Sequence, residues 1–434
     1  MNRTLVLAGL LLATPAAAAP TTGPDCTVIA GARAHLPDGP ADGVTAVLAD
    51  GLIRALGPEI AGLGTPGDGG VDWNGRRCAW VDGSGAELAP GFVDGHSSVG
   101  LVEVGMEGNT RHGDAGGTEP VRAQVEIIDG YNPLSSLIPI ARREGITTSV
   151  LMPGGGSFSG AAGAVDLAGV TQADAIVARA VALPARLNQG SAFSSRLGHL
   201  RTTLADARAY AKSPSSWART EGLAEGALDA DALAALGPVL ARRVPLVVSA
   251  DASWQLEALA RFATEEDIRL VIEGAAEGWL VAAQLAEAGV VVAPHPYEYG
   301  PGPFTRMHAR PDNPALLAAA GVPVLFASQS AHFARVLRQF AGNAVRGGLD
   351  HATALAAITS VPADTYGLSG RGRLQIGGVA NVVLWSGDPL EISSDPLGVW
   401  IRGRARSLET RHTRLFDRYR TLPGSPTPAL PLPE

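Results

Sequence analysis

Between residues 89 and 365, short apolar runs alternate with helical patterns, and this rhythm constrains the fold more than any other feature of the chain. Seven runs read as strands: Gly91 to Asp94, Thr147 to Met152, Ala164 to Leu167, Pro245 to Ser249, Leu270 to Glu273, Val290 to Ala293 and Val322 to Ala327. Elsewhere the apolar residues take the helical period. Leu256, Leu259, Ala260 and Ala263 share one face, and Leu280, Ala283, Leu285 and Ala286 form another such pattern. Strand–helix alternation implies a parallel sheet with right-handed crossovers. A closed barrel needs one strand more, and the alanine-rich stretch between 170 and 243 is where it is expected. A chain of 434 residues, 46% hydrophobic, can bury a barrel core together with an accessory domain.

Both flanks of this region read differently. Residues 26 to 88 are short strand-like runs and turns, with Asp50-Gly51 between Thr45–Leu48 and Leu52–Leu56 as a hairpin signal and Gly62 to Gly70 as a glycine-rich loop. The stretch 372 to 404 is strand-like again, with turns at Gly377-Gly378 and Gly387-Asp388-Pro389. The tail after Arg420 is proline-rich.

The N-terminus has the pattern of a secretory signal: a charged start at Arg3, an apolar run from Leu5 to Ala13, and small residues at Ala16 to Ala19, with cleavage expected after Ala18. The apolar run is too short to span a bilayer comfortably, and no other uncharged run of membrane-spanning length occurs. An exported, periplasmic protein without a transmembrane span after processing is the expectation. Cys26 and Cys78 can pair in an oxidising compartment or remain as buried thiols. A net charge of -8 argues against nucleic acid as a partner; a small-molecule substrate or ligand is the expectation. Of the 34 basic residues only Lys212 is a lysine, so Schiff-base and carbamate chemistry have almost no raw material.

The segment Ala89-Pro90-Gly91-Phe92-Val93-Asp94-Gly95-His96 resembles the first barrel strand of the amidohydrolase superfamily. The segment Gly372 to Gly403, with Ala380-Asn381-Val382-Val383-Leu384-Trp385-Ser386-Gly387-Asp388-Pro389 at its centre, resembles the family's closing strands, and the chain is similar overall to imidazolonepropionase-like metal-dependent hydrolases. The resemblance implies an α/β fold: a (β/α)8 TIM-like barrel beside a composite β-sandwich made from both chain ends. The resemblance implies a sandwich over 19–88, a barrel over 89–365 and sandwich again over 366–420, between the expected signal peptide over 1–18 and the proline-rich tail over 421–434.

Members of this superfamily hydrolyse non-peptide carbon–nitrogen bonds with one or two divalent ions that acidify a water molecule. The resemblance therefore implies a divalent metal, zinc by preference, at the strand ends. The expected residues are largely replaced. His-x-His of the first strand is His96-Ser97-Ser98, and a neutral serine is a poor zinc ligand. Lys212 lies outside any strand, so a lysine-bridged metal pair is not expected. Where histidines should follow two later strands, the sequence has Ser249-Ala250-Asp251 and Glu273-Gly274. The last strand puts Gln329 where an aspartate should act as ligand and base, and an amide cannot take a proton from water at neutral pH. His96 and Asp251 are the candidate metal ligands, with His295, His308 and His332 as loop histidines open to recruitment.

Other features carry open alternatives. The loop Gly154 to Gly160 can face substrate or serve as a turn, and it matches neither a phosphate loop nor a nucleophile elbow. Arg335 and Arg338 can bind a substrate carboxylate or be structural, and Trp254 and Trp279 can line a pocket or pack. Two functions follow. One is an exported amidohydrolase with an atypical or absent metal site. The other is a catalytically inactive binding or structural protein on the same fold, with no cofactor.

Overall fold

The computed structural model describes residues 25–114, 121–187, 192–219, 228–295 and 302–420. The expected signal segment, its cleavage site and the proline-rich tail lie outside them. Among these described residues sixteen strands fall into two sheets: β1 (Cys26–Leu36), β2 (Gly39–Ala49), β3 (Leu52–Gly57), β4 (Val71–Trp73), β5 (Arg76–Asp82), β6 (Glu87–Pro90), β7 (Phe92–Ser97), β8 (Ile146–Leu151), β9 (Ala162–Asp166), β10 (Ile176–Ala185), β11 (Leu246–Ala250), β12 (Leu270–Gly274), β13 (Val291–Pro294), β14 (Val382–Trp385), β15 (Pro396–Ile401) and β16 (Arg404–Arg406).

The first sheet runs β16-β15-β14-β6-β1-β2-β3, with β5 and β4 branching from β1, so the two chain ends share one sheet. The seam is the antiparallel pair β14–β6, in which Val383 faces Ala89 and Leu384 faces Leu88. Tight turns are set by local sequence. Asp50-Gly51 joins β2 to β3 with φ of 53° and 78°, the doubly left-handed turn that suits the twist of a hairpin. The parallel β1–β5 register sets Thr27 against Ala79. The half-cystines immediately before them meet in a Cys26–Cys78 disulfide beside the buried Val28, Val47 and Val71.

The second sheet runs β13-β12-β11-β10-β9-β8-β7 and curls into a barrel. Closure comes from residues 322–329. Leu325 N–H donates to the Val292 carbonyl at 3.0 Å on one side, and Gln329 N–H donates to the His96 carbonyl at 2.8 Å on the other. β10 lies inside the alanine-rich stretch that was expected to hide a strand. The expected all-parallel order is corrected at β9, which runs antiparallel to both β8 and β10. The physical reason is the connection: no helix lies between β8 and β9, and a parallel return needs a crossover of a dozen or more residues.

Period-2 alternation divides the barrel strands between two cores. Val93, Val150, Ala164, Val247, Val271 and Leu325 fill the interior together with Tyr366, while Phe92, Ile146, Leu246, Val248, Leu270, Ile272 and Phe326 pack outward with Leu256, Leu259 and Leu285 of the surrounding helices. Leu280 departs from the expected helical face; it sits in a short 3-10 turn and is exposed.

Barrel and sandwich are locked together by Asp166 at the end of β9. This fully buried carboxylate accepts hydrogen bonds from Thr148 Oγ1 (2.9 Å), Asn381 Nδ2 (3.0 Å), Arg371 Nε (2.9 Å) and Nη2 (2.8 Å), and Arg402 Nε (2.7 Å). Burial alone would raise its pKa; the bonds and charge of Arg371, joined by Arg402, overcome that and hold it below the ordinary carboxylate value. Arg338 is a second fastening. It is buried, donates to the carbonyls of Glu391 (2.9 Å) and Ser394 (2.8 Å), reaches Glu144 at 3.2 Å and lies over the Trp385 ring. Its role is structural.

Candidate functional site

The side chains that face the barrel axis at the strand ends follow from the alternation. On β12, Leu270 and Ile272 point outward, so Val271 and Glu273 point inward; on β11, Val247 and Ser249 do the same. Together with His96 and Ser98 after β7, Arg186 after β10, and Gln329 after the closing segment, they line a cavity of about 500 Å³ at the mouth of the barrel. This is the face on which barrel enzymes place their chemistry.

At the floor of the cavity His96 Nδ1 lies 2.6 Å from Glu273 Oε1. Glu273 is 6% exposed, so its charge has little water to stabilise it. Burial pushes the Glu273 pKa up, but the His96 charge and hydrogen bond outweigh this and leave it lowered. Burial likewise favours neutral His96, and the Glu273 carboxylate, with a smaller contribution from Asp94, outweighs it and raises the His96 pKa. Ser249 Oγ reaches the other Glu273 oxygen at 3.5 Å. Below them Asp94 is fully buried and accepts from Ser328 N–H (2.9 Å) and Ser328 Oγ (2.5 Å); burial is the main cause that raises its pKa to about 6. Ser328 thus ties the closing segment to β7. The next residue, Gln329, is held at φ 53°, a left-handed conformation that a side chain of its kind rarely adopts.

Arg186 completes the site. Its backbone N–H donates to the Ser157 carbonyl at 2.9 Å. Among the described residues its guanidinium makes no hydrogen bond or ion pair. That group rests against Gly154: a Cβ added there would lie 2.9 Å from Arg186 Nη2. Gly154 therefore belongs to the cavity wall, while Ser157, further along the same loop, faces His199 Nε2 at 3.1 Å.

The structure separates the expected ligands. Asp251 Oδ2 receives Arg306 Nε at 2.7 Å, and its neighbour His295 lines a small cleft with it rather than the main cavity. His308 Nδ1 is paired with Glu277 at 3.0 Å, His332 is exposed, and Lys212 ends the helix Phe193–Lys212 on the surface. Trp254 stacks edge-on with Phe193, and Trp279 donates to the His308 carbonyl; neither lines the cavity. Among the described residues no group of three or more His, Cys, Asp or Glu side chains could hold a metal ion. The donor set explains why. Lining the cavity around His96 are two hydroxyls, an amide and a guanidinium, and one ring nitrogen is already taken by Glu273; His295, near enough to act on the charges of both, lines the cleft with Asp251. These residues do not fit a tetrahedral zinc site.

Glu273 and Arg186 did not stand out as site residues in the sequence. Glu273 carried a signal, an acid closing an otherwise apolar strand. Arg186 carried none, because its strand sat in a stretch without clear periodicity.

A closed α/β barrel, a sheet composed from both chain ends and a polar cavity at the strand ends define an amidohydrolase-type architecture. No protein-family model matches the sequence. Among solved structures, an amidohydrolase from Thermotoga maritima MSB8 is similar over 87% of this chain and 99% of its own, with a TM-score of 0.75 and 24% identity. A prolidase complexed with N-methylphosphonate-L-proline (TM-score 0.54, 15% identity, 88% and 99% coverage) is also similar. So is a β-aspartyl dipeptidase from Fervidobacterium islandicum AW-1 (0.52, 14%, 88% and 96%). An amidohydrolase of Hapsidospora irregularis is 36% identical over 89 residues, 19% of this chain and only 9% of the relative's length. The chain has the amidohydrolase fold.

Proposed function

We propose that this is an exported hydrolase of non-peptide carbon–nitrogen bonds in small molecules, in which the His96–Glu273 pair activates water and no resident metal takes part. The observation that carries the reading is the 2.6 Å contact between these two side chains at the floor of the barrel-mouth cavity. A carboxylate that receives Nδ1–H fixes the ring and makes Nε2 the acceptor. Water gives a proton to Nε2 as its oxygen bonds to the substrate carbonyl carbon. The C–N bond then breaks as that proton passes to the leaving nitrogen, giving an acid and an amine. Export is supported by the Arg3, Leu5–Ala13 and Ala16–Ala19 pattern and by the Cys26–Cys78 disulfide, which suits an oxidising compartment.

A second reading, a binding protein that hydrolyses nothing, is favoured by Ser98, Ser249 and Gln329, which offer the cavity hydroxyls and an amide in place of ionisable groups. One experiment separates the readings. The protein is recovered from the periplasmic fraction, its first residue determined, incubated with zinc, dialysed and assayed on a panel of amides and lactams with a chelator present. The expected results are Ala19 at the N-terminus, no retained zinc, and turnover that His96→Gln and Glu273→Gln reduce by about 10²- to 10⁴-fold. Stoichiometric zinc lost in His96→Ala would overturn the metal-free mechanism. Absence of turnover on every substrate would leave the binding protein, and an intact Met1 would overturn export.

A further inference from the structure

We infer that the barrel mouth selects ligands that carry a carboxylate, held by the guanidinium of Arg186. The inference rests on the proposed site but not on its catalysis. Charge decides it first. Of the charged groups lining the cavity, His96 and Glu273 are paired with each other at 2.6 Å, so their charges largely cancel inside the site. Arg186 then remains as the charge without a counter-charge among the described residues. Arginines elsewhere in the structure are mostly answered: Arg306 by Asp251, Arg371 and Arg402 by Asp166, Arg338 by Glu144 and carbonyls. A fork of N–H donors left open on a cavity wall matches the two oxygens of a carboxylate.

Shape and donors agree with charge. Gly154, against which the guanidinium lies, has no side chain to cover it, and the 500 Å³ cavity has room for a small acid. The other polar groups of the wall, Ser98, Ser249 and Gln329, donate hydrogen bonds and carry no negative charge. Asp251 and Asp94 are already occupied by Arg306 and Ser328 and do not line this cavity, while Asp114, whose Oδ1 lies against Gly155 beside the same wall, forms no ion pair with Arg186. A metal-dependent site would draw its positive charge from the ion. Among the described residues the donors do not fit an ion, and the permanently charged guanidinium supplies the positive charge instead.

The test uses binding, which needs no turnover. Acetate, benzoate, N-acetylglycine and N-benzoylglycine are titrated calorimetrically into the mature protein, each beside its neutral amide. The acids are expected to bind about 10- to 100-fold more tightly than the amides, the range expected for a charge-assisted pair. Arg186→Gln is expected to abolish that preference and Arg186→Lys to keep part of it. Arg186 is an exposed residue, so its variants are expected to fold, and circular dichroism checks this. Equal binding of acids and amides, or a preference unchanged in Arg186→Gln, overturns the inference. Carboxylate binding without hydrolysis keeps it and removes the hydrolase. Hydrolysis of neutral amides that ignores Arg186 does the reverse.

Discussion

Glu273 and His96 hold opposite charges in a place where either alone would be expensive. Burial acts on the ring and the carboxyl in the same sense, toward the neutral form, and the mutual contact does most to reverse it, with smaller help from Asp94 on His96 and from His295 and Ser249 on Glu273. Because the folded-state pKa of His96 is raised and that of Glu273 lowered, the ion pair is complete between the two ordinary values; it is lost as pH rises through the raised His96 value or falls through the lowered Glu273 value. Glu273→Gln removes the opposing charge and leaves burial in command. The His96 pKa, followed by the ring protons in NMR, is therefore expected to fall relative to the parent protein; an unchanged value would mean that Glu273 does not set it. Gln329 shows the same economy of position. Its backbone is strained at φ 53°, yet its N–H closes the barrel onto the His96 carbonyl, so strain and closure sit on one residue at the edge of the site.

At the scale of elements, the antiparallel β9 is the departure with structural consequences. Reversal places Asp166 at its C-terminal end, away from the barrel mouth and against the sandwich, where Arg371 arrives from ahead of β14 and Arg402 from the end of β15. Asp166→Ala would strand Arg371, whose side chain is 10% exposed, and break five hydrogen bonds made by four residues. Removing one partner of a buried pair costs about 3–5 kcal/mol, so urea unfolding should show a loss of that size. Arg402→Ala should show a smaller loss, since its side chain is 36% exposed and water can replace part of the contact. Equal losses in the two variants would place the strength of the clamp elsewhere.

For the whole molecule, the sheet that joins both chain ends makes the barrel and its flank one mechanical unit. The N-terminal strands are held twice, by the β14–β6 seam and by the disulfide across a sequence separation of 52. Cross-linking a loop of that length stabilises by about 3–4 kcal/mol through the unfolded chain. A Cys26→Ser/Cys78→Ser variant is expected to melt at lower temperature than the parent and to be indifferent to dithiothreitol, while the parent is shifted down by it. A parent melt unaffected by reductant, with reduction confirmed by thiol titration, would show that the seam alone suffices.

Most barrel strands and the hairpin turn were legible in the sequence because they are local: alternation of apolar residues along β11 and β12, and the Asp50-Gly51 pair, depend on neighbours a few positions away; the expected strand Val322–Ala327 instead forms only an isolated bridge, Val324 to Val292. That His96, Ser98, Ser249 and Gln329 stand at or just beyond strand ends could likewise be read from the sequence. Which of them meet could not. His96 and Glu273 are 177 residues apart, and their contact depends on strand order around a closed sheet and on register. Asp251, one residue beyond β11, was drawn to Arg306 instead of His96. Arg186 became a site residue only when β10 took its place beside β11, and the direction of β9 was settled by a connection that lacks a helix. Sequence determined the strands and the residue types at their ends. The tertiary structure decided the pairing of charges, because a buried charge takes whichever partner the closed barrel brings within reach.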